Sequence, residues 1–189
     1  SGVLDPQGPV VRRGDAVTLE GSCTGLEGGE GFSIGKALVV NNDRNHSWRE
    51  NSGAIFLNHG KHPFRVAWFN QTNTEALKIS YEGPGIAQQP IPDAALFQGA
   101  LRAGQTLLAL APGVQWRSYE GMWLQVPLFD QLRPCQEGVA TNFNLSVRSR
   151  EKFVGLVFDG WLETTKAGDY KFTVGSAGGS QLSIGLPQL

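Results

Sequence analysis

A cluster of hydrogen-bonding side chains beside an aromatic ring is the part of this sequence best suited to ligand chemistry. It occupies residues 41–48, and its candidate binding residues are Asn41, Asn42, Asp43, Arg44, Asn45, His46 and Trp48. Sugar hydroxyls need paired donors and acceptors, and the apolar face of a pyranose ring stacks on an aromatic side chain. These residue types predict carbohydrate binding. They also fit, somewhat better, a structural turn whose Asn and Asp side chains bond their own backbone, with Trp48 half buried.

Other residues offer little catalytic chemistry. No serine lies in the glycine pattern of a nucleophile elbow, and no carboxylates are paired in sequence as in a glycosidase. His59 and His62 are close enough to share a metal, but the missing third and fourth ligands favour a solvated turn. Trp116, Trp123 and Trp161 either stack on a ligand or pack in the core, and their apolar neighbours favour the core. We therefore predict a non-catalytic protein without a cofactor.

Composition restricts the partners. The chain has 189 residues, a formal net charge of −1 and only 17% charged residues. Nucleic acids and anionic membranes require a concentrated positive field, which this balance does not provide. The longest apolar stretch, around Leu107 to Leu110, is far too short to span a bilayer. We expect a glycan or glycoprotein partner, and neither nucleic acid nor membrane insertion.

Cysteines and glycosylation motifs indicate the compartment. The chain has two cysteines, Cys23 and Cys135, which either form one disulfide or remain as two free thiols. Three glycosylation motifs begin at Asn45, Asn70 and Asn144. Together they favour an extracellular or cell-surface protein.

Period-two alternation of apolar residues predicts an all-β fold. It places one face of successive strands at Phe64, Val66 and Trp68; Leu77, Ile79 and Tyr81; Phe143, Leu145 and Val147; Leu156, Phe158 and Leu162; Tyr170, Phe172 and Val174; and Leu182 and Ile184. The first two sets are separated by a polar loop and are predicted to form a hairpin. Strands with one apolar face need a second sheet to cover it, so we expect a two-sheet antiparallel β-sandwich.

One strand-loop-strand pattern occurs near both ends of the chain. Residues 14–35 and 168–185 share Gly-Asp, then Gly-Ser, then Ser-Ile-Gly at matching positions. Residues 1–31 are therefore predicted to be a partial repeat of residues 168–185.

Specific motifs resemble the protective-antigen-type domain (the PA-fourteen domain), a lectin-like β-sandwich first described in anthrax toxin. Residues 32–98 resemble its second half, through Ser33-Ile34-Gly35, Val39 to Asp43, Gly60 to Pro63, Tyr81 to Ile86 and Gln89 to Pro92. Residues 112–189 resemble its first half, through Tyr119-Glu120-Gly121, Asn142-Phe143, Gly168, Tyr170 and Leu182 to Ile184. Residues 99–111 connect them. The halves stand in reversed order, as in a circular permutant.

The resemblance implies a mostly non-catalytic module that often binds carbohydrate. Calcium-dependent adhesin members use two adjacent aspartates where this chain has Ala177 and Gly178, so calcium is not supported. Either the halves pair within one chain as a single domain of residues 1–189, or each completes a neighbouring chain or repeat. We expect an extracellular carbohydrate-binding module. The alternative is a structural module of a surface or filamentous assembly that binds copies of itself or adjacent repeats.

Overall fold

A computed structural model describes residues 36–72, 74–99 and 110–185, which form two antiparallel sheets packed as a sandwich. The eight-stranded sheet contains β1 (Lys36–Asn42), β3 (Gly60–Asn70), β6 (Leu96–Gln98), β7 (Ala111–Pro112), β8 (Val114–Glu120), β9 (Gln136–Ala140), β10 (Val154–Thr164) and β12 (Gly179–Gly185). The four-stranded sheet contains β2 (Arg49–Leu57), β4 (Ala76–Gly83), β5 (Ile86–Pro90) and β11 (Gly168–Ala177). Short 3-10 helices lie at Asp93–Ala95, Phe129–Gln131 and Leu145–Val147.

Strands from the two parts of the chain alternate within both sheets. Strand β12 lies between β1 and β3, β10 pairs with β3, β6 and β8, and β11 lies between β2 and β4. The predicted all-β sandwich is thus confirmed, and both halves contribute to it within one chain. The partial repeat in residues 1–31 lies outside the described residues, and the permuted family order remains a prediction.

The core lies between the sheets, where the period-two alternation places it. Tyr170, Phe172 and Val174 of β11 and Phe64, Val66 and Trp68 of β3 are all buried there. Their alternate neighbours on β11, from Asp169 to Gly175, point to the outer face of the four-stranded sheet. Only the side chains that point outward from the sheet in this way are accessible to a ligand.

Two local predictions were wrong. Strands β3 and β4 were expected to pair as a hairpin, but they lie in different sheets, so the polar loop crosses from one sheet to the other. Residues 143–147 were expected to be a strand, but they include a 3-10 helix in which the Asn144 side chain accepts a hydrogen bond from the Ser146 N–H. Phe143, Leu145 and Val147 still pack against the core. The alternation of apolar residues therefore predicted the packing of residues 143–147 against the core correctly, but their secondary structure incorrectly.

The outer face of the eight-stranded sheet carries a second apolar cluster. It consists of Ala67, Tyr119, Phe129 and Val157, with Trp123, Val126 and Leu132 packed against it from the segment 121–135. The segment is also held by Gln71, which donates a hydrogen bond to the carbonyl of Trp123. This segment therefore has a defined position on the sheet.

An ion cluster lies beside this apolar cluster and is centred on Asp159. Its carboxylate accepts hydrogen bonds from Arg65 Nε at 2.8 Å and Arg117 Nη2 at 2.7 Å, and Lys36 Nζ lies 3.4 Å away. Arg65 also bonds Asp130 at 2.6 Å. The five side chains are 16% to 29% exposed. Three cations thus share two carboxylates at a site with limited access to water.

The environment of Asp159 decides its ionisation. Burial raises the pKa of this carboxyl, but the hydrogen bonds and charge of Arg65, together with the charges of Lys36 and Arg117, outweigh burial and hold the pKa below its ordinary value. Asp159 is therefore a stabilising anion at neutral pH.

Cleavage of the connector is expected to leave the two halves associated. A protease site inserted at Gly104, which lies outside the described residues, would separate β1–β6 from β7–β12. Because β10, β11 and β12 pair with strands of the other half, the fragments should elute together at the intact mass in size-exclusion chromatography. Separation into unfolded pieces would contradict this pairing.

Candidate functional site

The loop 41–48 connects β1 to β2 at one end of the sandwich. It contacts the β11–β12 turn, because the N–H of Gly178 donates a hydrogen bond to the carbonyl of His46 at 2.8 Å. The predicted binding loop and the turn that carries Ala177 and Gly178 therefore belong to one region of the surface.

Asn42 is fully buried and serves the fold rather than a ligand. Its side-chain amide donates to the carbonyl of Arg49 at 3.0 Å and to Ser176 Oγ at 3.1 Å. Its side-chain oxygen accepts from Arg49 Nε at 2.8 Å. These bonds join β1, β2 and β11, and because Asn42 is fully buried, its side chain is out of reach of a sugar hydroxyl.

Neighbouring polar residues of the loop are also engaged in internal bonds. Asp43 Oδ1 accepts from the N–H of Arg44 at 2.6 Å and of Val126 at 2.7 Å, which ties the loop to the segment 121–135. Both ring nitrogens of His46 contact backbone carbonyls, of Ser47 at 2.6 Å and of Asn42 at 2.9 Å.

Among the predicted residues, Asn41, Arg44, Asn45 and Trp48 are exposed. The side-chain oxygen of Asn41 accepts from the N–H of Asp43 at 3.2 Å, and its backbone carbonyl accepts from Asn51 Nδ2 at 2.8 Å. The structural-turn interpretation therefore accounts for much of the loop, and ligand chemistry is left to its exposed members.

Trp48 lies on the outer face of the four-stranded sheet and is 49% exposed. Its six-membered ring covers Gly175, where a Cβ would lie only 2.5 Å from Trp48 Cη2 and Cζ2. Gly175 is directly opposite Glu50 on β2 and Lys78 on β4, so both side chains project from the same face as the indole. We call Trp48, Glu50, Lys78 and Gly175 the Trp48 face.

Hydroxyl groups follow on the next row of the same sheet face. Thr173 is opposite Ser52 on one side and Ser80 on the other, and the Ser52 and Thr173 hydroxyl oxygens are 2.8 Å apart. Gln88 Nε2 donates to Ser80 Oγ at 3.5 Å. The half-exposed indole is thus bordered by an acid, a base and two hydroxyl groups in contact with each other.

The β11–β12 turn is closed by its own bonds. The indole N–H of Trp68 donates to the carbonyl of Ala177 at 3.0 Å, and Ser176 Oγ donates to the carbonyl of Gly178 at 3.1 Å. Gly178 has φ +83°, and a Cβ there would lie 2.0 Å from the carbonyl oxygen of Phe69. In the described part of the chain, no group of three or more His, Cys, Asp or Glu residues is placed to hold a metal.

No family model, curated protein or solved structure matches the chain. The relationship to the protective-antigen-type domain therefore remains a resemblance carried by the motifs. Over the described ranges, no helix is long and apolar enough to cross a membrane.

Several side chains singled out from the sequence lie away from the Trp48 face. Trp161 is buried, while Trp116 and Trp123 are partly buried against the main and second apolar clusters. His62 was expected in a solvated turn, but it is fully buried on β3, where Nε2 contacts the carbonyl of Asn58 at 2.9 Å. Its period-two spacing from Phe64 was the signal for burial.

The structure bears differently on the predicted N-glycosylation sites and on the predicted disulfide. Asn70 is fully buried at the end of β3, which leaves no room for a glycan in the folded state. Asn45 and Asn144 are exposed and remain predicted acceptors. Cys135 is disulfide-bonded, whereas Cys23 lies outside the described residues, so their pairing with each other remains a prediction.

Glu50, Lys78, Ser52 and Thr173 were not singled out from the sequence, and Gly175 was noted only as part of the repeated Gly-Ser motif. Their proximity depends on the register between β2, β11 and β4, which a single sequence does not reveal. The available signal was Gly175 itself, because a glycine inside a strand often marks a close approach by another group.

Proposed function

We propose that this protein is a non-catalytic extracellular recognition domain that binds carbohydrate on the Trp48 face. The observation that carries the proposal is the position of Trp48, which is half exposed and lies across Gly175 between Glu50 and Lys78. The indole of Trp48 packs against Gly175, which limits the movement of the ring. A ligand that stacks on the ring therefore causes little loss of side-chain entropy.

The chemistry around the indole suits a polyhydroxylated ligand. A pyranose ring stacked on Trp48 would find an acceptor in Glu50 and a donor in Lys78. Ser52 and Thr173 can each donate or accept a hydrogen bond, so they tolerate different hydroxyl orientations. Both charged groups are exposed and of opposite sign, which favours a neutral sugar over a strongly charged one.

The motif resemblance supports the same function, since protective-antigen-type domains often bind carbohydrate. We propose membership of that family with the halves in permuted order. Binding would not depend on calcium, because the turn at Ala177 and Gly178 offers no carboxylate ligand.

The alternative function, assembly with copies of itself or adjacent repeats, has one specific observation in its favour. Met122, Leu124 and Leu128 are exposed apolar side chains on the segment 121–135, whose backbone is held in place by Asp43 and Gln71. Grouped apolar side chains on a surface often mark protein contacts. Light scattering over a range of concentrations separates the two functions, since assembly requires a mass that grows with concentration.

The Trp48→Ala variant is expected to lose glycan binding while keeping the fold. We expect affinity for glycans retained on an array to fall at least about tenfold, because the stacking surface is removed. The loss of stability should stay below about 1 kcal/mol, since half of the side chain already contacts water.

Phe56→Ala is the matched control, because Phe56 is also an exposed aromatic residue on the outer face of β2. It should leave glycan binding unchanged. Equal binding by wild-type protein and Trp48→Ala would contradict the proposal. A large fall in melting temperature in Trp48→Ala would instead assign Trp48 a structural role.

A further inference from the structure

The outer face of the four-stranded sheet continues past the Trp48 face in regular rows. Strand register places three rows across β2, β11 and β4: Glu50, Gly175 and Lys78; Ser52, Thr173 and Ser80; and Ala54, Lys171 and Glu82. We call these three rows the β11 surface. Successive rows are two residues apart along the strand, so the first and the third are separated by about 13 Å.

The β11 surface is open along the strand direction. Ser52 and Ala54 are exposed on β2, Thr173 is partly exposed on β11, and all three side chains are short. Across the strands, by contrast, the indole is flanked by the longer side chains of Glu50 and Lys78. A ligand ring stacked on Trp48 can therefore continue into a second ring along β11 more easily than across the sheet.

Charges on the β11 surface are balanced within each row that carries them. Glu50 and Lys78 lie at the end near the indole, and Lys171 and Glu82 lie at the far end, where Lys171 Nζ is 3.1 Å from Glu82 Oε1. The Lys171 and Glu82 side chains are 49% and 38% exposed, so both can reach a ligand. A charged ligand would be attracted by one member of each pair and repelled by the other. Balanced donors and acceptors with hydroxyl groups between them instead suit a neutral, polyhydroxylated chain.

We propose that the Trp48 face is one end of an extended site, which binds several consecutive rings of a linear, neutral polysaccharide along β11 as far as the Lys171–Glu82 pair. This inference rests on the carbohydrate binding proposed above and specifies the class of ligand. A chain that lies along the strand contacts the sheet through its internal rings. The protein therefore recognises the body of a polymer rather than a single sugar at its end.

Titration with oligosaccharides of increasing length tests the proposal. The probes are the cello-, malto- and manno-oligosaccharide series, each from one ring to six. For a series that binds, we expect the affinity to rise at least about tenfold between one ring and three rings and then to level off, because rings beyond the first add hydrogen bonds in the second and third rows.

The Lys171→Ala variant locates the far end of the site. It should lower the affinity for three rings by about threefold to tenfold and leave the affinity for one ring unchanged. Trp48→Ala should weaken binding at every length. Asp169→Ala is the matched control, because Asp169 is the next outward-pointing residue on β11 beyond Lys171 and should change neither affinity.

Two results would overturn the inference while leaving carbohydrate binding in place. An affinity that does not rise beyond one ring would mean that the protein recognises a single sugar at Trp48. Equal losses for one ring and for three rings in Lys171→Ala would mean that Lys171 acts through the fold and does not contact the chain. Absence of binding by all three series would contradict the proposed function itself, together with this inference.

Discussion

The Gly178→Asp variant is expected to lose about 3–5 kcal/mol of unfolding free energy. This substitution introduces one acidic residue at the turn where, by the motif resemblance, a calcium-dependent adhesin would have two. The added Cβ would lie 2.0 Å from the carbonyl oxygen of Phe69, so β3 and the β11–β12 turn would have to separate. The left-handed φ of +83° adds a smaller cost, which aspartate tolerates better than most residues.

Gly85→Asp is the matched control for this substitution. Gly85 has a similar φ of +78°, but among the described residues the only neighbour within 4 Å of an added Cβ is Lys166 Nζ at 3.2 Å, which can move and attract the carboxylate. We expect a loss of about 1 kcal/mol or less in urea denaturation. If Gly178→Asp were as stable as Gly85→Asp, and calcium raised its stability, the turn would be an intact metal-binding scaffold and our description of it would be wrong.

The Asp159→Asn variant is expected to lose about 2–3 kcal/mol at neutral pH. The substitution preserves the shape of the side chain but removes the charge that Arg65, Arg117 and Lys36 share. Among the described residues, only Asp130 would then balance the three cations, in a place where water screens them poorly. The fall should be seen as a lower urea midpoint with an unchanged slope.

Acid is expected to reduce the difference between wild-type protein and Asp159→Asn. The pKa of Asp159 is lowered in the folded protein, so its stabilisation is complete above the unfolded pKa of about 3.9 and is lost as pH falls through the folded pKa. The urea midpoints should therefore converge below about pH 4. A difference that stayed constant down to pH 2 would exclude a charge effect.

Glu163→Gln is the control for the same chemical change on the same strand. Its partner is Lys61, and this pair is more exposed, at 31% and 41% for the lysine and the glutamate. Exposed ion pairs contribute about 0–1 kcal/mol, so the variant should remain close to wild type. Equal losses in Glu163→Gln and Asp159→Asn would contradict the special position of Asp159.

Residue alternation predicted the core well. Phe64, Val66 and Trp68 on β3 and Tyr170, Phe172 and Val174 on β11 are buried as their spacing indicated. The reason is physical: side chains alternate along a strand, so in a sheet that packs on another sheet every second side chain points into the core between them. The same spacing failed at residues 143–147, since three apolar residues can pack against a core from a 3-10 turn as well as from a strand.

The candidate site was harder to predict because it depends on contacts between distant strands. Composition identified the loop 41–48 but did not reveal that Asn42 is buried behind Ser176. Nor could it show that Trp48 would lie over Gly175, which is more than one hundred residues away in sequence. Register between strands is set by the whole sandwich. A local sequence motif therefore contains only one of the two residues that form such a contact.

Carbohydrate binding on the Trp48 face is tested most directly by NMR titration of the five tryptophan indole N–H signals with the glycan retained most strongly on an array. Trp48 is half exposed, while Trp68 and Trp161 are buried. The expected result is a saturable shift that is largest at Trp48 and absent from Trp48→Ala. Saturable glycan binding that leaves the Trp48 signal unmoved would contradict the proposed site.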